Sequence, residues 1–510
     1  MRPLILLLLI PILSAAEARA EDDPRTLAYQ MFFAERVAPN WVGLKPSEQR
    51  VLVVRSFDKH DVPEAAAWLM AEAVLKDPAA DVKRAAIQVL IKYKNAESIA
   101  EMARIWEKKF KKPAESRALG LYAFAGSAQE EARKPIATGL KDKDPRVVQA
   151  ACRTAGIAGR REFIPDLVKL LGHKEWACRS GAALALGDLD AQETMPQIFQ
   201  VFCGDTSHRV RYDCWLALKK LSLMKLLPCQ PSAWEEWWTL SQRDAANALE
   251  EGEKNPWGER FPLIYSKIGD PSFFFHMPIL ADRICIVIDA SQSMMEPWKV
   301  DHKAERAKPP ESRIPGFFNV KTRWGLMRNY LREFLKELPQ TTELAFVFYH
   351  HDLIVYPENG KLFKNSEKNR QKALTFIEEE VKQKATTAMY DGLKRGWGFV
   401  KDGHPDHNFK KGCETIIFLT DGKPTDGELI KRPDRIRDEA WRLTMVRGIR
   451  YYVVGIHRHS YELLKEMAKT SRGLYVHAQE PGIPDEPQDL DFWPEKKKAF
   501  EKAREKRKKQ

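Results

Sequence analysis

Beyond its first twenty residues the chain has no apolar run near the roughly 20 residues that a spanning helix needs, so no later segment reads as membrane-crossing. It has seven cysteines but no CxxC pair and no Cys/His zinc spacing. A structural zinc site is therefore not expected. The odd count leaves at least one thiol without a partner in the same chain. GKPTDG (422–427) lacks the strand–GxxxxGK[ST]–helix layout, which excludes a phosphate loop. There is no Ser/His/Asp or Cys/His nucleophile arrangement with supporting context. Nothing points to base readout of nucleic acid.

What is there suits two or three domains: 510 residues, 44% hydrophobic and 30% charged, an ordinary globular composition. The net charge of +12 is concentrated. Residues 495–510 carry nine basic side chains against three glutamates, half of the excess. Such a tail reads first as a solvated end and second as a contact for an anionic surface. MRPLILLLLIPILSAAEARA (1–20) has a short positive start, an apolar core and Ala18-Arg19-Ala20. That is a secretory signal peptide with an A-x-A cleavage site, so the mature protein is expected to be exported, periplasmic or extracellular. Cys152, Cys178 and Cys214 fall on helix-period apolar stripes, and Cys285 lies among Ile284, Ile286 and Val287. They read as small buried hydrophobes. A bridge within Cys203, Cys214 and Cys229 stays open.

Residues 57–225 repeat themselves. KPIATGLKDKDPRVVQAACRTAG (134–156), IPDLVKLLGHKEWACRSGAALALG (164–187) and MPQIFQVFCGDTSHRVRYDCWLALKKL (195–221) align. Each has a proline near a helix start, an apolar helix, a short polar turn and a second helix rich in Ala and Leu. Earlier copies lie around 82–93 and 116–126, spaced by about 31–33 residues, as in helical solenoids. Small side chains on one face let stacked helices approach closely. The DPRVVQAA stretch resembles HEAT-type repeats. The expectation is an all-α superhelical solenoid that binds a second protein or sets spacing. Trp234, Trp237 and Trp238 then share one helix face and read as core docking the last helix. NPWGERFPLIYSKIGDPSFFFHM reads as an extended segment packed along the next domain.

From Arg283 the pattern changes to alternating strands and helices. Near-continuous apolar strands between amphipathic helices imply a mainly parallel, Rossmann-like sheet covered on both faces. Ligands of such sheets sit outside the carboxyl ends of the strands. ICIVIDASQSMM (284–295) ends one strand in Asp289, Ser291 and Ser293, two residues apart, which sends three oxygen-bearing side chains off together. They suit a hard cation, or they cap a turn. IIFLTDGKPTDG ends another strand in Asp421. His350-His351-Asp352 sits in a predicted hairpin turn. Adjacent histidines point opposite ways on a strand, so the pair reads as a poor chelate. Residues 294–320, charged and proline-rich, read as a long surface loop at the rim.

This half resembles a von Willebrand factor A domain. That family's metal-ion-dependent adhesion site is a D-x-S-x-S strand end, a threonine on a second loop and an aspartate on a third. The positions are filled here by Asp289, Ser291, Ser293, Thr387 in TAMYDGL, and Asp421. The combination also resembles bacterial proteins that join HEAT-like repeats to such a domain. The resemblance implies a divalent cation, Mg²⁺ or else Mn²⁺ or Ca²⁺. Ser291 and Ser293 would bind it directly, Thr387 directly or through water, and Asp289 and Asp421 largely through water. A site with neutral hydroxyl ligands keeps positive charge and takes one more oxygen, an Asp or Glu carboxylate of a protein partner. Glu296 is a candidate internal occupant of that open position.

The expected organisation is a signal peptide (1–20), an N-terminal helical cap (21–56), a HEAT-like solenoid (57–225), a Trp-rich linker (226–280), the von Willebrand A domain (281–480) and a basic tail (481–510). The expected function is metal-dependent protein binding in adhesion or assembly, without catalysis. The alternatives are a divalent-metal hydrolase, or a scaffold whose metal site stays closed.

Overall fold

A computed structural model describes residues 47–222, 271–308, 310–398, 412–427, 429, 432–457 and 459–479, together with Pro231, Trp234 and Thr239. The signal peptide, most of the N-terminal cap, Cys229, Trp237, Trp238 and the basic tail lie outside the described residues. The chain divides into two compact units, Met1–Leu189 and Asp190–Gln510.

The first unit is a stack of helices: α1 (Ser47–Ser56), α2 (Pro63–Trp68), α3 (Ala80–Leu90), α4 (Ala96–Lys109), α5 (Ala114–Tyr122), α6 (Arg133–Leu140), α7 (Pro145–Ile157), α8 (Ile164–Leu170) and α9 (Trp176–Asp188). Helix α7 shows why they start where they do. Pro145 takes the first turn, and the Asp144 side chain accepts the Arg146 N–H at 3.0 Å. That satisfies a donor the helix itself leaves without a partner. The small residues act as the sequence implies. A Cβ on Gly181 of α9 would meet Gln149 Cα of α7 at 3.2 Å, so the two backbones lie close.

The second unit opens with α10 (Met195–Gly204) and α11 (His208–Leu221), the pair read from sequence as the last repeat. Trp234 is fully buried with its ring edge-on to Phe202 of α10 at 6.2 Å, as core packing requires. A hairpin of β1 (Ser272–Phe274) and β2 (Met277–Ile279) follows, where sequence suggested only an extended segment.

The main sheet uses β3 (Arg283–Asp289), β4 (Glu343–Tyr349), β5 (Leu353–Tyr356), β6 (Phe363–Lys364), β7 (Thr415–Thr420), β8 (Arg450–Ile456) and β9 (Tyr475–Ala478). Its order is β5-β4-β3-β7-β8-β9, with β6 beside β4. The pairs β4–β3, β3–β7, β7–β8 and β8–β9 are parallel; β5 and β6 run antiparallel at one edge. Its helices are α12 (His302–Ala307), α13 (Arg323–Glu337), α14 (Glu367–Glu379), α15 (Met389–Trp397), α16 (Pro433–Arg447) and α17 (Tyr461–Thr470). The 294–320 segment is thus not plain loop, since it carries α12.

Alternate residues of the strands serve opposite faces. Cys285, Val287, Ala345, Val347, Ile416, Phe418, Tyr451 and Val453 form one core with α15, α16 and α17. On the other face Trp324 of α13 meets Phe348 at 6.1 Å, and Tyr212 of α11 meets Tyr452 at 6.1 Å. The six described cysteines are all buried. Helix α15 lies tight on the sheet: a Cβ at Gly392 would come within 2.6–2.9 Å of Tyr349. Gly392→Val is expected to cost about 1–3 kcal/mol through overpacking. A lower urea midpoint at unchanged slope would show it; an unchanged midpoint would mean that the helix shifts freely.

Candidate functional site

Strand β3 is central, and the chain runs outward from it to β4 on one side and β7 on the other. That is the switch point at which an open α/β sheet leaves a crevice beyond its strand ends. Register sets Asp289 beside Tyr349, and Ile288 beside Leu419, so Asp289 and Asp421 leave the sheet as neighbours.

Asp289 is fully buried. Its Oδ1 accepts the Ser291 N–H at 2.9 Å, and its Oδ2 accepts the Thr420 hydroxyl at 2.7 Å and the Tyr349 hydroxyl at 3.5 Å. Burial and the neighbouring Asp421 charge nevertheless push its carboxyl up to about 7. Ser293 Oγ donates to Asp421 Oδ1 at 2.7 Å, across 128 residues of chain. The Ser291 and Ser293 hydroxyls are 2.9 Å apart. Ser293 gives its proton to Asp421, so Ser291 is the donor within that pair. Burial raises Asp421, and the hydrogen bonds from Arg323 and Ser293 offset only part of it.

Turn capping is the part of Asp289, which takes the Ser291 N–H, and not of Ser291. Ser291 sits at the N-cap of a 3₁₀ turn, Gln292–Met295, and makes no side-chain cap hydrogen bond. Its hydroxyl faces Ser293 instead.

Thr387 joins through its backbone. Its N–H donates to Thr425 Oγ1 at 2.9 Å, and its carbonyl accepts from the Thr425 and Asp426 N–H groups at 3.1 and 3.3 Å. Three residues earlier, Lys384 is stitched to the β3 tip: Gln292 N–H donates to Lys384 O at 2.7 Å, and Lys384 N–H to Ala290 O at 3.1 Å. The loop carrying Thr387 is therefore tied to both neighbouring tips. Direct hydrogen bonds link Asp289, Ser291, Ser293 and Asp421; Thr387 is added by these backbone ties.

Three participants escape sequence reading. Thr420 holds Asp289 and precedes Asp421, so its position was the available signal. Tyr349 reaches in from β4. Arg323 is the third, and nothing in its sequence neighbourhood announces it. Thr322 caps α13 by accepting the Gly325 N–H at 3.0 Å, which makes Arg323 the first helical residue. Its guanidinium is buried, with Nη1 donating to Asp421 Oδ2 at 2.8 Å and to Ser293 O at 3.3 Å. Glu296 does not turn toward the serines. Its carboxylate pairs with Arg323 Nη2 at 2.5 Å, drawn by the nearest buried positive charge.

The His350-His351 reading also changes. β4 ends at Tyr349, so strand alternation no longer separates the two rings, whose centroids are 4.7 Å apart. Ligand atoms of His350, His351 and Asp352 lie within 4.8 Å of one another, a group able to hold a metal ion. His350 Nδ1 already accepts the Asp352 N–H at 2.9 Å, which leaves the proton of a neutral ring on Nε2. Lys384 Nζ lies 3.2 Å from Asp352 Oδ2. A cation there would have to displace both arrangements.

Residues 284–483 match the von Willebrand factor type A domain family, and residues 111–186 match HEAT repeats. The chain therefore combines HEAT repeats with a von Willebrand factor A domain. A solved von Willebrand factor type A protein from Catenulispora acidiphila is similar at 18% identity and a TM-score of 0.29. That match covers 40% of this chain and 40% of the other. No curated protein matches the chain. Domains of this class point to protein interaction or adhesion, usually through a metal site.

Proposed function

We propose that the protein binds a partner protein through a divalent cation held at the β3 tip. Asp289, Ser291, Ser293, Thr387 and Asp421 would hold the ion, and a partner's Asp or Glu carboxylate would complete its shell. One observation carries the reading: the Ser293 hydroxyl links the Ser291 hydroxyl to the Asp421 carboxylate, and the Ser291 backbone N–H holds Asp289 beside them. The donor set fits a hard cation, since every member is an oxygen and two are carboxylates. Burial disfavours charge on both Asp289 and Asp421, and a cation beside them would reverse that. When bound, the ion supplies a positive charge that attracts a carboxylate. Ser291 and Ser293 contribute no charge, and Asp289 and Asp421, acting largely through water, would offset the ion less than direct carboxylate ligands, so attraction would remain for a partner's carboxylate. The helical repeats offer a second surface for protein contact, and the leader-like start fits action outside the cytoplasm.

Calorimetric titration of Mg²⁺ and Mn²⁺ into the full chain tests this. Saturable one-site binding is expected in the wild type and its loss in Ser293→Ala. Equal binding by wild type and variant would place the ion elsewhere, with the His350 group as the next position to mutate.

A further inference from the structure

Among the described residues, Arg323 is the one buried guanidinium hydrogen-bonded to these site residues, and its fork is only partly used. Nη1 serves Asp421 and Ser293 O, as described. Nη2 meets a single oxygen of Glu296. Nε lies on the same edge as Nη2, is shut off from solvent, and has no hydrogen-bond partner. A carboxylate normally takes such an edge with both oxygens, satisfying Nε–H and Nη2–H together. Glu296 does not. Its side chain is 57% exposed while that of Arg323 is 5% exposed, so the pair joins a fixed, buried cation to a loosely held anion. The Glu296 backbone is anchored by its own contacts: its N–H donates to Ser293 O and its carbonyl accepts the Arg323 N–H. The side chain can therefore leave without disturbing the strand tip.

We propose that Arg323 is a second anchor for the acidic partner, and that Glu296 is a displaceable stand-in for the partner's carboxylate. This rests on the reading above and extends it. The guanidinium lies one carboxylate, Asp421, away from the Ser293 hydroxyl. A partner with two neighbouring acidic residues could then place one at the cation position and the other on the Nε/Nη2 edge of Arg323. The partner class is an acidic peptide segment rather than a lone carboxylate.

The test uses the full chain and N-acetylated tetraglutamate as probe, titrated in EDTA and again in Mg²⁺. Glu296→Gln is expected to bind the probe about twofold to fivefold tighter than wild type, the worth of removing an exposed ion-pair competitor. The exposed Glu358→Gln, with the same charge change, controls for net charge. Arg323→Lys keeps the charge but loses the fork, and is expected to bind the probe about tenfold more weakly. Thermal melts of each variant show whether it is folded. If Glu296→Gln equals wild type, or gains no more than Glu358→Gln, Glu296 is no stand-in and the proposal falls. Mg²⁺ titrated alone reads the metal site separately. Its absence would remove the metal reading, and the Glu296→Gln ratio in EDTA would still decide this one.

Discussion

Asp213→Ala is expected to destabilise the second unit by about 3–5 kcal/mol, the usual cost of removing one partner from a buried charge cluster. Asp213 and Arg450 are both buried, and each would be costly alone. Asp213 Oδ1 accepts from Arg450 Nη2, and Oδ2 from Arg209 Nε at 3.0 Å. The Arg450 guanidinium also lies over the Tyr212 ring at 4.6 Å. Arg209 spends its remaining donors on backbone: Glu414 O at 3.2 Å and Gly448 O at 2.8 Å. The chain of contacts continues through Asp282, which accepts from Ser207 Oγ at 2.6 Å and the His208 N–H at 3.1 Å. Together they pin α11 to the strand starts opposite the candidate site. Removing Asp213 leaves two guanidiniums facing each other without their shared anion. Their burial does not imply large net stability, since apolar replacements of such clusters are often as stable. Its effect is to specify which face of α11 meets the sheet. Denaturation followed by tryptophan fluorescence measures the loss. A change below about 1 kcal/mol would show that water enters and screens the arginines.

The second large effect is a pH dependence carried by His459. Its Nδ1 lies 2.9 Å from His457 O and its Nε2 2.6 Å from the Tyr475 hydroxyl. Those partners suit a neutral ring, with Nδ1 donating and Nε2 accepting. Burial, with the nearby His477, lowers its pKa to about 3. The unfolded chain would bind the proton near the ordinary 6.5, so below that pH the unfolded state takes up more protons. Stability from this group is fully present above about pH 6.5 and declines as pH falls toward 3. Between pH 7 and pH 5 the loss is about 2 kcal/mol. The difference between wild type and His459→Gln isolates it from carboxylates that titrate in the same range. Parallel pH profiles for the two proteins would mean that the ring is protonated in the fold, against the packing described.

How much of this was legible in advance follows from the kind of signal each feature sends. The helical repeats and the alternating strands announced themselves because periodicity is a property of neighbouring residues. Asp289, Ser291 and Ser293 were legible for the same reason, being local to one strand end. Asp421 was legible as a second strand end, whereas Thr387 needed the resemblance to a known domain family, since nothing local marks it as a partner of the serines. The histidine pair lies in the turn past Tyr349, where β4 ends, so strand alternation does not set the geometry of its rings.

The amino-acid order by itself therefore determined the two architectures and the oxygen-bearing residues at the strand tip. Tertiary structure alone decided what surrounds them. Arg323 reaches Ser293 from 30 residues away and Asp421 from 98, while Asp213 meets Arg450 across 237. Contacts at such separations depend on how elements pack, and charges carry no periodicity that would reveal their partners. Burial then gives those few pairs their strength, because a charge shut off from water must find its counter-ion wherever the fold has put it.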